Sequence, residues 1–141
     1  MMSSADMPRY LTPREERELA EQLATDYTVH GASIRILMFD VGMSYGAVHL
    51  LLTEVAGIAL RKRGGASDHA LARREFDDLD APHDLAAPFS WNFAKGARIT
   101  ELAQQHQLYP YTVWRLLLLT DVRRPRRLNR APYGSRRRDR L

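Results

Sequence analysis

One pattern of glycine and apolar residues occurs twice, 65 positions apart, and it limits the chain to folds built from short crossed helices. Gly31-Ala32 matches Gly96-Ala97, Ile34 matches Ile99, Leu37 matches Leu102, Val48 matches Val113, and Leu51-Leu52 matches Leu116-Leu117. Self-similarity at a fixed offset predicts a repeated supersecondary unit. In the first copy, Thr12-Pro13-Arg14-Glu15 is a helix start: Thr12 caps, Pro13 suits the first helical position, and Glu15 completes a capping box. Leu19, Leu23 and Tyr27 then recur at four-residue steps, with Ala20 and Ala24 beside them, and predict one apolar stripe that fades by His30-Gly31. Ser33 caps a second helix, with Ile34, Leu37, Met38 and Val41 inward, and Gly42 stops it in the left-handed conformation. Ser44 caps a third helix over residues 45–54, with Val48, Leu51 and Leu52 inward.

Two short helices joined by a glycine-led turn, behind a longer bracing helix, make a helix-turn-helix unit. The spacing asks for a compact residue at the crossing, glycine in the turn, and a β-branched residue and a leucine on the last helix. Met38, Gly42, Val48 and Leu51 stand there, and Met38 is the bulky exception. The second copy supplies Ala103, Gln107, Val113 and Leu116, without the glycine. It predicts helices over 99–106 and 110–119, the latter opened by Pro110. Pro88 interrupts its brace, leaving residues 90–95, with Phe89, Trp91 and Phe93 as core anchors rather than base-stacking surfaces.

Charge divides the chain unevenly. Residues 123–141 carry nine arginines against Asp139, a net +8, while residues 1–122 hold 12 basic and 16 acidic side chains, a net −4. The tail, with Pro125, Pro132 and Gly134, predicts a disordered arm that binds phosphate, since arginine rather than lysine fills every basic position. Residues 64–92 are acidic and punctuated by Gly64, Gly65, Pro82 and Pro88, so they predict a connector with one short helix over 67–79. The expected organisation is all-α: a first helix-turn-helix unit at 12–63, an acidic linker at 64–87, a second, degenerate unit at 88–122, and a basic arm at 123–141.

Gly31-Ala32-Ser33-Ile34-Arg35, Gly42-Met43-Ser44-Tyr45-Gly46-Ala47-Val48-His49 and Leu60-Arg61-Lys62-Arg63-Gly64-Gly65 together resemble a family of small actinobacterial helix-turn-helix proteins over about residues 15–65. They are also similar, more loosely, to the DNA-binding tails of serine resolvases and invertases. The resemblance implies a sequence-reading helix from Ser44 and a basic extension, Arg61, Lys62 and Arg63, on the DNA backbone. Met38 and Leu50 depart from the family pattern, which has a compact residue at the first place and often a basic or polar one at the second. No recombinase catalytic domain fits in the remaining chain, so that activity is not implied.

Helix position names the contacts, because the first turn of a recognition helix enters the major groove. In the first copy these are Ser44, Tyr45, Gly46, His49, Leu50 and Thr53. In the second they are Tyr109, Tyr111, Thr112, Trp114 and Arg115, with Arg115 suited to guanine. Arg123, Arg124, Arg126 and Arg127 follow directly and place a phosphate-binding arm beside that second helix. Blander roles compete: His49 as a partly buried spacer, and Arg115 as a surface charge paired with Glu101 or Asp121.

Other classes fare worse. Lacking cysteine, the chain is no disulfide scaffold, iron–sulfur protein or thiolate zinc finger. Asp77, Asp78, Asp80 and Asp84 lack the spacing of a calcium loop, and no nucleophile triad or phosphate loop is present. No enzyme activity, metal, cofactor or small-molecule ligand is therefore expected. No apolar run approaches the roughly 18–20 residues of a membrane span, and residues 1–12 do not read as a signal peptide. The expected partner is double-stranded DNA, bound by a small cytoplasmic, nucleoid-associated transcriptional regulator that is a possible homodimer. The rival is an interaction scaffold, because Leu50 to Leu52 and Leu116 to Leu119 cover more than one helix face.

Overall fold

The computed structural model describes residues 9–61 and 69–128. The fold is all-α, apart from one two-residue parallel ladder. Its order is β1 (Arg9–Tyr10), α1 (Pro13–Thr28), α2 (Ile34–Val41), α3 (Tyr45–Leu50) continued by a π-helical turn (Leu51–Val55), α4 (His69–Asp77), α5 (Pro82–Ala94), α6 (Ile99–Gln105), α7 (Pro110–Leu118) and β2 (Arg127–Leu128). Among the described residues no single helix is long and apolar enough to cross a membrane.

The first half is capped from its own sequence. Thr12 Oγ1 accepts the Glu15 N–H at 3.1 Å, and Glu15 Oε1 accepts the Thr12 N–H at 3.0 Å. Ser33 and Ser44 each accept the N–H three residues on, at 3.2 Å. Each bond satisfies one donor that the first helical turn would otherwise leave unpaired. Leu19, Ala20, Leu23 and Tyr27 form the buried stripe of α1, which packs on α2 and on the π turn. The plain helix expected over 45–54 is corrected here: after Leu50 the chain widens, and the Ala56 N–H reaches the Leu51 carbonyl at 2.8 Å. Consecutive Leu51 and Leu52 on this turn are both buried completely, as are Leu116 and Leu117 on α7.

The second half is capped by other helices. Arg98 and Tyr109, which precede α6 and α7, have no side-chain cap of their own. Asp40 of α2 accepts the Ile99 N–H at 3.0 Å, and Glu75 of α4 accepts the Tyr109 N–H at 2.9 Å. Each carboxylate sits where the helix dipole favours a negative charge. The 64–87 segment expected as a connector with one short helix in fact holds α4 and the start of α5. Helix α5 continues past Pro88, where the sequence predicts a break. The proline ring is exposed, while Phe89 and Phe93, four residues apart, face the core. Trp91 is no core anchor; it stays 65 % exposed, under the Lys95 ammonium at 4.5 Å.

Helix α7 is surrounded by α4, α5, α6 and α2, and the described residues of both halves share one buried cluster. The turn ahead of α7 lacks glycine, so Gln107 itself adopts φ 54°. At the matching position of the first half, Gly42 has φ 70°, and a Cβ there would stand 2.5 Å from the Pro125 carbonyl oxygen. The two positions predict opposite responses. Gly42→Ala is expected to lower stability by at least about 1–2 kcal/mol, from left-handed strain plus the clash. Gln107→Gly is expected to raise it by about 0.5–1 kcal/mol, since exposed Gln107 loses only strain. Urea midpoints followed by helical circular dichroism check both signs.

Candidate nucleic-acid interface

The chain bends by 108° between α2 and the α3 segment, within the range that sets a recognition helix across its partner. Gly42 makes that bend, and the Ser44 cap starts α3 directly after it. Val48 is fully buried, so the opposite face of α3 is the one presented. Tyr45 is 56 % exposed, and its ring lies 5.8 Å from that of His49, one turn on. Gly46 between them is exposed, and a methyl group added there would meet nothing within 4 Å, so its backbone is accessible. His49 and Leu50 are half-buried. Thr53 lies beyond them on the π turn, half-buried, its hydroxyl donating to the His49 carbonyl at 2.8 Å.

The arm is not disordered over its described part, and it runs to the first unit rather than lying beside the second unit's helix alone. The Arg127 N–H donates to the Gly42 carbonyl at 2.9 Å, and β2 pairs with β1. A groove of about 440 Å³ results beside the turn, with Arg35, Gly42, Ser44, Arg123 and Arg126 among its walls. Arg123 and Arg126 are exposed. Arg127 is half-buried, and the remaining arm arginines lie outside the described residues.

Arg124 is a correction to the expected phosphate contacts. Its Nε donates to the Asp40 carbonyl at 2.8 Å, and its Nη atoms donate to the Phe93 and Ala97 carbonyls at 2.5 Å each. The guanidinium lies 3.7 Å from the Phe93 ring centre. It is spent on joining the two halves. Arg61 is similarly engaged: its Nη atoms donate to the Tyr27 and Ala32 carbonyls at 2.6 and 3.1 Å, and it stacks on Tyr27 at 3.7 Å. Lys62 and Arg63 lie outside the described residues.

Of the residues expected to read DNA from the second unit, Thr112 faces inward and the others are half-buried, with Trp114 also in the wall of the groove. Thr112 is completely buried, and its hydroxyl donates to Glu75 at 2.5 Å. Tyr109, Tyr111, Trp114 and Arg115 are half-buried, because α2 and α4 cover that side of α7. Arg115 pairs with neither Glu101 nor Asp121; it donates to the Tyr111 hydroxyl at 2.5 Å and lies 4.5 Å from the Phe76 ring centre. Two residues escaped the sequence reading. Arg35 borders the groove, and its signal was a basic residue in the first turn of α2. Asp40 holds the halves together, and nothing in its local sequence marks that role.

Asp40 is the electrostatic centre. Besides Ile99 it faces Arg124 at 3.8 Å and Arg98 at 3.9 Å, while Arg98 pairs with Asp26 and Asp26 accepts the Thr100 hydroxyl at 3.0 Å. Burial pushes the Asp40 carboxyl up to about 6, against the opposing pull of the Ile99 N–H and of Arg124. Burial likewise lowers Arg124 and Arg98 from the ordinary arginine value.

Residues 9–68 match a family described as a helix-turn-helix domain. No curated protein and no solved structure matches the chain significantly. The match covers the first unit and supports a DNA-binding role in general.

The buried carboxylate gives a pH dependence with a definite sign. The folded protein holds the Asp40 proton more tightly than the unfolded chain does. The associated stabilisation is therefore full below pH 4, and is lost as pH rises through about 6. The shift of roughly two pH units corresponds to about 3 kcal/mol. Asp40→Asn, which keeps an acceptor for the Ile99 N–H, is expected to flatten that slope. Urea unfolding of both proteins at pH 4.5 and 7.5 checks it, and an unchanged slope in the variant would refute the assignment.

Proposed function

We propose that the chain binds double-stranded DNA through α3 and acts as a small sequence-specific transcriptional regulator. The observation that carries this reading is the Arg127-to-Gly42 hydrogen bond, which fixes the arm against the turn preceding α3. That bond holds the segment carrying Arg123 and Arg126 in the wall of the groove that Ser44 and Arg35 also line. A recognition helix with positive charge at its entry suits a duplex, in which phosphates flank the major groove. Tyr45 and His49 read base edges, and the Gly46 backbone permits close approach. Arg35, Arg123 and Arg126 contact phosphates. The second unit braces this arrangement, with α7 as its central helix and Arg124 as the tie.

The supporting features predict separable effects. A mobility shift on random duplex is expected at about 50 mM salt and should fade steeply as salt rises. Arg123→Ala and Arg126→Ala should each weaken binding to all sequences and reduce the log–log salt slope by about 1. His49→Ala or Tyr45→Ala should weaken a selected site by about tenfold or more and leave random duplex nearly unchanged. Absence of any shift at low salt would sink the proposal.

A further inference from the structure

A second cavity, of about 750 Å³, lies between the two halves and shares Arg35 with the groove of the proposed DNA contact. Its size is that of a small-molecule site. One wall comes from the start of α2 and the chain after the π turn, and the other from α4 and α7. Four arginines line it, Arg35, Arg61, Arg73 and Arg115, and no carboxylate among the described residues does. Two of the four are committed. Arg61 is held by carbonyls, and Arg115 by Tyr111 and Phe76. They fix positive charge in the walls without being free to chelate. Arg35 and Arg73 are exposed, stand on different helices, and have no partner among the described residues. The same cavity is lined by the aromatic rings of Tyr111 and Trp114, which lie 5.8 Å apart, edge to face.

We propose that this cavity binds a small planar aromatic anion, its ring against Trp114 and Tyr111 and its acid group held by Arg35 and Arg73. An anion complements four guanidiniums that no carboxylate among the described lining residues offsets, and the planar forks of the two free ones suit phosphate or carboxylate oxygens. The flat ring satisfies the aromatic walls, against which an inorganic ion gains nothing. Because the ligand touches both halves, it also favours the docked arrangement over any in which they separate. The inference does not rest on DNA binding, since Arg73 and Tyr111 take no part in that contact and the test uses no nucleic acid.

The test uses the full chain carrying Trp91→Phe, which leaves Trp114 as the sole tryptophan reporter. Adenosine monophosphate and 4-hydroxybenzoate are titrated separately, with inorganic phosphate and adenosine as controls. At least one aromatic anion is expected to change Trp114 fluorescence with a Kd on the order of 10–100 µM. Phosphate and adenosine should bind at least about tenfold more weakly, because each offers only half of the recognition. Which anion binds distinguishes a phosphorylated from a carboxylated ligand. Arg35→Ala and Arg73→Ala, whose side chains hold nothing in the fold, should each weaken binding by about tenfold while leaving the thermal midpoint unchanged. No fluorescence response to either anion at about 5 mM, far above the expected Kd, would overturn the proposal, as would binding that both arginine variants retain at full strength. A DNA shift that persists in that case would leave the α3 reading intact.

Discussion

Asp40 carries a buried carboxylate on which both halves of the fold converge, one oxygen accepting the Ile99 N–H and the other facing Arg98 without a hydrogen bond. It stands on α2, the first helix of the glycine-turn motif, yet its oxygens serve the start of α6 and face arginines from before α6 and after α7. A buried charge with its partners removed is strongly destabilising, so this cluster works as a coupling more than as a source of net stability. It ties the position of α2 to that of α6, and through Arg124 to the segment leaving α7. The geometry of the exposed face of α3 thus depends on residues more than 50 positions away in sequence, as the Asp40–Ile99 bond illustrates.

The contrast between the two repeats explains how much was legible in the sequence. Local physics writes the first unit: Thr12, Ser33 and Ser44 cap their own helices, Gly42 makes its own turn, and the structure has each where the pattern puts it. The second repeat keeps the apolar positions, but its caps come from Asp40 and Glu75, and Gln107 accepts strain where glycine would not. Helices α6 and α7 were readable from periodicity. Their dependence on neighbours was not, because a carboxylate donated from another helix leaves no mark beside the helix it caps. The same limit governed the site residues. Exposed Tyr45 and buried Val48 follow from helical phase. The burial of Thr112 and the engagement of Arg124 and Arg61 follow from what packs over them, which phase does not encode. Pro88 misled in the other direction: a proline predicts a break, but an exposed ring on a helix held by Phe89 and Phe93 is tolerated.

The charge map changes meaning accordingly. Arginine content alone describes an arm that floats and attracts phosphate. In the fold, consecutive arginines divide by role: Arg124 turns inward to the protein's own carbonyls, while Arg123 and Arg126 remain outside. The inward residue sets where the outward ones stand. A guanidinium suits this because it satisfies several carbonyls at once and stacks on Phe93, which an ammonium would do less well.

The β1–β2 ladder has a consequence for the order in which the protein is made. Arg9–Tyr10 and Arg127–Leu128 are partners, so the earliest described residues wait for the last. A growing chain can close α1 to α3 and bury their leucines long before Arg123 exists, since domains fold from the N-terminus during synthesis. During that interval the helix-turn-helix stands without its arginine flank, and the carboxylate of Asp40 has no Arg124. Translation of the last described residues therefore completes a charged surface on a unit whose first helix began more than a hundred residues earlier.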